Sequence, residues 1–165
     1  MLRLIAMRHA HSPQRPEGDH ARPLDDCGVR EAEAVGATLA RRGWSPDRVL
    51  ASDAQRTRHT WDRMQIHIVG ERPIELYRKF YSHGANAVLE QVATGGYADQ
   101  TLLVLGHNPE WERLIASLSG QRVVMTPATA ALLVTDAPTW AQAVAGPGHF
   151  RLHDLVRPSE LDGQG

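Results

Sequence analysis

The sequence predicts an α/β domain, a three-layer α/β/α sandwich around a mostly parallel central sheet. Two apolar runs bounded by polar residues, Leu2–Met7 and Thr101–Leu105, fit buried strands. Between and after them lie stretches with apolar residues at helical spacing, and alternation of the two favours layered α/β architecture. Each run also ends in a histidine, as Arg8-His9-Ala10 and as Gly106-His107-Asn108-Pro109. Open α/β sheets bind ligands beyond the carboxyl ends of their strands, so both histidines stand where a site would form.

Each further element has its own signal. A polar, Pro/Gly/His-containing loop is expected from Ser12 to Pro23. Val29, Ala32, Val35 and Leu39 recur at helical spacing within Gly28–Arg42, and Gly43 is a natural stop. Arg48–Ala51 is a short strand. Ser52, three residues before Gln55, has the pattern of a capping box opening a helix to about Met64. Residues 66–76 read as a loop plus a short strand, and Ala85–Ala93 as a helix closed by Gly95-Gly96. Asn108 and Pro109 suit the N-cap and first turn of a helix whose apolar stripe is Trp111, Leu114, Ile115 and Leu118. Ala130–Val134 and Phe150–Val156 are late strands. One domain over 1–158 is expected, with a frayed tail over 159–165.

Composition narrows the classes of function. At 165 residues, 42% hydrophobic and 22% charged, the chain is long enough to bury a core without staples. A net charge of −1 gives no footprint for nucleic acid or membrane. The single Cys27 cannot form an internal disulfide, and no leader or transmembrane run is evident. A cytoplasmic, soluble monomer is the default expectation.

Chemistry concentrates at three strand-to-turn junctions. They bring Arg8 with His9, Arg56 in the turn after Ser52, and His107. Arginine grips phosphate through paired, charge-assisted hydrogen bonds, and helix N-termini add unpaired N–H groups. Such groups stabilise charge on a transferring phosphoryl group. No Gly-rich nucleotide loop is present, which disfavours ATP chemistry and favours removal of phosphate.

Four motifs in order carry a resemblance: Met7-Arg8-His9-Ala10; Asp19 through Arg22-Pro23-Leu24 with Gly28; Ser52 to Thr57; and Gly106-His107-Asn108-Pro109. Together they resemble the histidine phosphatase superfamily, also called phosphoglycerate-mutase-like. The short length resembles its small bacterial branch, the SixA-type phosphohistidine phosphatases. The resemblance runs from Leu2 to Trp140. It implies that His9 is the nucleophile and carries a covalent phosphoryl group. It also implies that Arg8 and Arg56 clamp phosphate oxygens, that His107 steadies transition-state charge, and that neither metal nor other cofactor is needed. Arg22 and Asn108 are further candidates for phosphate contact. The implied partner is a phosphohistidine-bearing protein or a small phosphorylated substrate.

Larger members of that superfamily place an acid between the second arginine and the second histidine. Here Glu75 and His83 are the candidates, and the stretch around them does not match the acid motif. A P–N bond breaks with less help than an alkyl P–O bond, which tilts the reading toward phosphohistidine. Three alternatives stay open. One is a broad small-molecule phosphomonoesterase. Another is a phosphoprotein-binding module without turnover. The last is a metal-dependent hydrolase built on the His9-Ala10-His11 pair. Barrels that commonly carry that pair need roughly 200 residues or more.

Overall fold

In the computed structural model, residues 1–16 and 18–161 are described. Four strands run parallel: β1 (Leu2–Arg8), β2 (Arg48–Ser52), β3 (Ile74–Tyr77) and β4 (Thr101–Gly106). Two more, β5 (Ala130–Thr135) and β6 (Arg151–Val156), join antiparallel beside β1. The order across the sheet is β3-β2-β4-β1-β5-β6, so β1 and β4 lie at its centre. Every residue of β4 and of β5 is buried, which explains their unbroken apolar character.

Helices cover both faces. On one side α1 (Asp26–Arg41) packs on α2 (Gln55–Met64), and Val35, Leu39, Trp61 and Met64 meet Ile5, Met7, Leu103 and Leu105. The other side carries α4 (Gly84–Thr94), α5 (Glu110–Ser119) and α6 (Trp140–Ala143), after a short α3 (Arg78–Ser82). There Val88, Val92, Trp111 and Leu114 meet Leu4, Ala6, Leu102 and Val104. Successive strand side chains point to opposite faces, so each central strand feeds both cores. This is the expected α/β/α sandwich with a mostly parallel sheet. Among the described residues no helix is long and apolar enough to cross a membrane.

Several local expectations need correction. α1 begins at Asp26, not Gly28, because Asp25 caps it by accepting from the Gly28 amide at 2.8 Å. Ser52 is not an N-cap: α2 starts after Ala54 with no side-chain cap, and the Ser52 hydroxyl serves other partners. Nor does Asn108 cap α5. Pro109 takes that position, and the Asn108 amide donates to Glu112 and to the Met125 carbonyl. Residues 66–76 resolve into a 3-10 turn at Gln65–His67 followed by the start of β3. Within the stretch expected to fray, Pro158–Glu160 form a 3-10 turn and Leu161 packs on the core. Residues 162–165 lie outside the described residues.

Candidate active site

Strand pairing puts the two histidines side by side. Arg8 pairs with Gly106 across β1 and β4, and the His9 amide donates to the Gly106 carbonyl at 2.9 Å. The imidazole ring centroids lie 5.3 Å apart. Gly106 is required here, since a Cβ on it would meet the buried Trp111 ring at 2.2 Å.

Hydrogen bonds fix which nitrogen of each ring faces the site. Arg56 Nε lies 3.2 Å from His9 Nε2, and an arginine can only donate, so Nε2 holds a lone pair. His9 Nδ1–H then donates to the Ala10 carbonyl at 2.7 Å. By the same logic His107 Nδ1 accepts from Arg56 Nη2 at 3.2 Å, and its Nε2–H donates to Ser52 Oγ at 2.8 Å. His9 is only 7% exposed. Burial, with the cationic Arg56 and Arg8 nearby, lowers its pKa to about 3. Burial, and then the facing His9 and Arg56, lower His107 to about 3 as well. Both rings are neutral at neutral pH.

Asp19 organises the cations around them. Its carbonyl accepts from Arg56 Nη1 at 2.7 Å and its Oδ2 from Arg56 Nη2 at 3.1 Å. Its Oδ1 accepts from Arg22 Nε at 3.1 Å, while Arg22 Nη1 donates to the Ser12 carbonyl. Tyr81 Oη donates to Asp19 Oδ2 at 2.7 Å, and its ring lies 5.5 Å from that of His107. The Tyr81 hydroxyl, helped by Arg56 and Arg22, holds the Asp19 carboxyl down at about 2. The third guanidinium, Arg8, donates through Nη1 to the Met125 carbonyl, whereas its buried Nε has no protein partner. Close by, Ala128 adopts a left-handed φ of 63° and its amide donates to the His9 carbonyl at 3.0 Å.

Arg8, His9, Asp19, Arg22, Arg56 and His107 line a cavity of about 610 Å³ that also touches His11, Ser12, Gln14, Asn108 and Pro127. Three guanidinium groups face one carboxylate, so the cavity is built for an anion. Arg8, His9, Arg22, Arg56, His107 and Asn108 all line this one cavity. The two candidate acids do not. Glu75 sits in the edge strand β3, bonded to Arg48 and Tyr77, and lines a separate cavity of about 570 Å³. His83 lies exposed between α3 and α4, bonded to Ser82. Sequence reasoning missed Tyr81 and the Ser52 contact with His107. Each acts through residues far away in the chain, so no local spacing announces it.

Comparison with known proteins agrees with this geometry. The sequence pattern of the histidine phosphatase superfamily (branch 1) matches residues 4–80. A chloroplastic protein of Arabidopsis thaliana, uncharacterised, is 37% identical over 94% of this chain and 78% of its own length. Two solved structures are candidate phosphohistidine phosphatases SixA. The one from Agrobacterium tumefaciens is 25% identical with TM-score 0.81, over 95% of this chain and 98% of that one. The other, from Nakamurella multipartitia, is 26% identical with TM-score 0.82, over 95% and 96%. The matched sequence pattern runs from β1 into α3, and the SixA likeness extends over nearly all the rest: the chain belongs to the histidine phosphatase superfamily, in its SixA-type branch.

Proposed function

We propose that this protein is a metal-independent phosphatase that removes the phosphoryl group from phosphohistidine on a partner protein, through a covalent intermediate on His9. The observation that carries this reading is the unprotonated Nε2 of His9, held neutral and aimed into a cavity of three arginines. In the first step the Nε2 lone pair forms a bond to phosphorus while the bond to the substrate's imidazole nitrogen breaks. That leaving nitrogen takes a proton from solvent. Water then attacks the phosphohistidine, the His9 N–P bond breaks, and phosphate leaves with His9 neutral again.

Arg8 and Arg56 spread the charge on the phosphoryl oxygens, and Arg22 and Asn108 border the same space. The unpartnered Nε–H of Arg8 is a donor in reserve for such an oxygen. His107 meets the phosphoryl group as a neutral imidazole and, accepting from Arg56 Nη2 through Nδ1, keeps that guanidinium aimed at the developing charge. Asp19 is the sole carboxylate among the described lining residues, and it stays ionised. It therefore cannot protonate an alkoxide, which supports a leaving group of the imidazole type.

A substrate panel tests the proposal: phosphohistidine-bearing protein, a sugar phosphate and an aryl phosphate, each with and without EDTA. The expected result is at least a hundredfold higher kcat/KM on phosphohistidine than on the sugar phosphate, unchanged by EDTA. Equal activity across the panel would assign a broad phosphomonoesterase instead. Binding without an acid-labile phosphoenzyme burst would leave only a phosphoprotein-binding module.

A further inference from the structure

The sequence presents His9-Ala10-His11 as a pair, but the fold divides it. His9 turns in to Arg56, whereas His11 turns out to the start of α1, where its Nδ1 lies 2.8 Å from Asp25 Oδ2. Cys27, one residue into the helix, completes a cluster in which the ligating atoms of all three residues lie within 4.8 Å of one another. We infer that His11, Asp25 and Cys27 form a binding site for a thiophilic divalent cation such as zinc, at the mouth of the catalytic cavity.

The donor set suits that ion. Imidazole nitrogen, carboxylate oxygen and thiolate sulfur are the three ligand types zinc takes, at about 2.0–2.3 Å. Tetrahedral bonds of that length place ligand atoms about 3.5 Å apart. From separations of up to 4.8 Å the cluster needs to tighten by up to about 1.3 Å, and the 2.8 Å His11–Asp25 pair to open slightly, within the rotamer freedom of side chains at the surface. Charge balances too: one thiolate and one carboxylate neutralise a divalent ion. Binding releases the thiol proton and moves the His11 ring proton from Nδ1 to Nε2, leaving Nδ1 free to ligate.

The backbone under the cluster is already clamped. The His11 amide donates to Glu31 Oε1 at 2.8 Å, and the Asp25 amide reaches the His11 carbonyl at 3.4 Å. Asp25 Oδ1 is engaged by the Gly28 amide, so Oδ2 is the oxygen turned toward the site. Gly28 permits this approach, because a Cβ there would meet the His11 carbonyl oxygen at 2.1 Å. Outer contacts that fix ligand orientation are what a metal site requires. Three protein ligands leave a fourth position for water or a substrate group, as in open zinc sites.

Cobalt(II) titration of the whole protein reads the site directly, with zinc as competitor. We expect one cobalt per chain, a near-ultraviolet thiolate-to-cobalt charge-transfer band, and loss of the band on adding zinc. Cys27→Ser should abolish the band. Asp25→Asn, which keeps an N-cap side chain, and His11→Ala should each weaken cobalt binding at least tenfold. Thermal melts of each variant show that the fold is intact. Absence of the band in the unmodified protein overturns the site. Unchanged affinity in both Asp25→Asn and His11→Ala overturns it equally, since cobalt would then be sitting on the thiol alone.

Discussion

Arg56 is the residue through which the others are coupled, since it donates to His9, to His107 and twice to Asp19. Removing it leaves both imidazoles without the cation that orients them. Arg56→Ala should lower kcat by about 10³-fold, the scale on which an arginine clamp contributes to phosphoryl transfer. His9→Ala should abolish both turnover and the acid-labile phosphoenzyme, while the protein still binds phosphate. The pH profile separates this site from one using an ordinary histidine. kcat/KM reports groups of the free enzyme, and His9 and His107 both titrate at about 3. Corrected for the substrate's own ionisation, kcat/KM should stay level from about pH 5 to pH 8. An enzyme limb centred near 6.5 would contradict a nucleophile held neutral by burial.

Among the elements, the turn from β4 into α5 has little room for change. Gly106→Ala would drive a methyl group into the ring of Trp111, whose Nε1–H is tied to the Val104 carbonyl at 3.1 Å. Overpacking of this kind costs about 1–3 kcal/mol, readable by denaturant titration. It should also lower kcat, because His107 is the next residue. The long elements were legible in the sequence because burial imposes a period: α1 and α5 through their stripes, β1 and β4 as apolar runs. α3 and α6, at five and four residues, are too short to show one. β3 lies at the sheet edge with Ile74 and Leu76 exposed, so its pattern mixes with the loop before it. Of the site, the residues beside strand ends could be read and their partners could not. Ser52 and Asn108 have the chemistry of helix caps, and only the folded chain reveals that His107, Glu112 and Met125 claim them. Asp19 lies 37 residues from Arg56, a distance at which no local pattern connects them.

For the whole molecule, the neutral histidines set a direction for acid stability. An unfolded histidine titrates near 6.5 and these two near 3, so between those values the unfolded chain binds more protons. Stability should therefore fall as pH drops from about 6.5 toward 3, and rise again on return. Urea midpoints across that range would measure the slope, and His9→Gln should flatten it. Asp19 adds to the loss from about pH 3.8, where an unfolded carboxyl takes up a proton, down to about 2, where its own does.

The central position of β1 has a consequence for how the protein comes into being. Arg3 pairs with Thr101, 98 positions along, and Met7 pairs with Ala130 later still. During synthesis the strand bearing His9 precedes both of its neighbours and has neither edge covered until they arrive. Contacts so distant in sequence form slowly, and a lone apolar strand is exposed to aggregation meanwhile. The site around His9 is thus complete only once strands 98 positions and more further along the chain are in place.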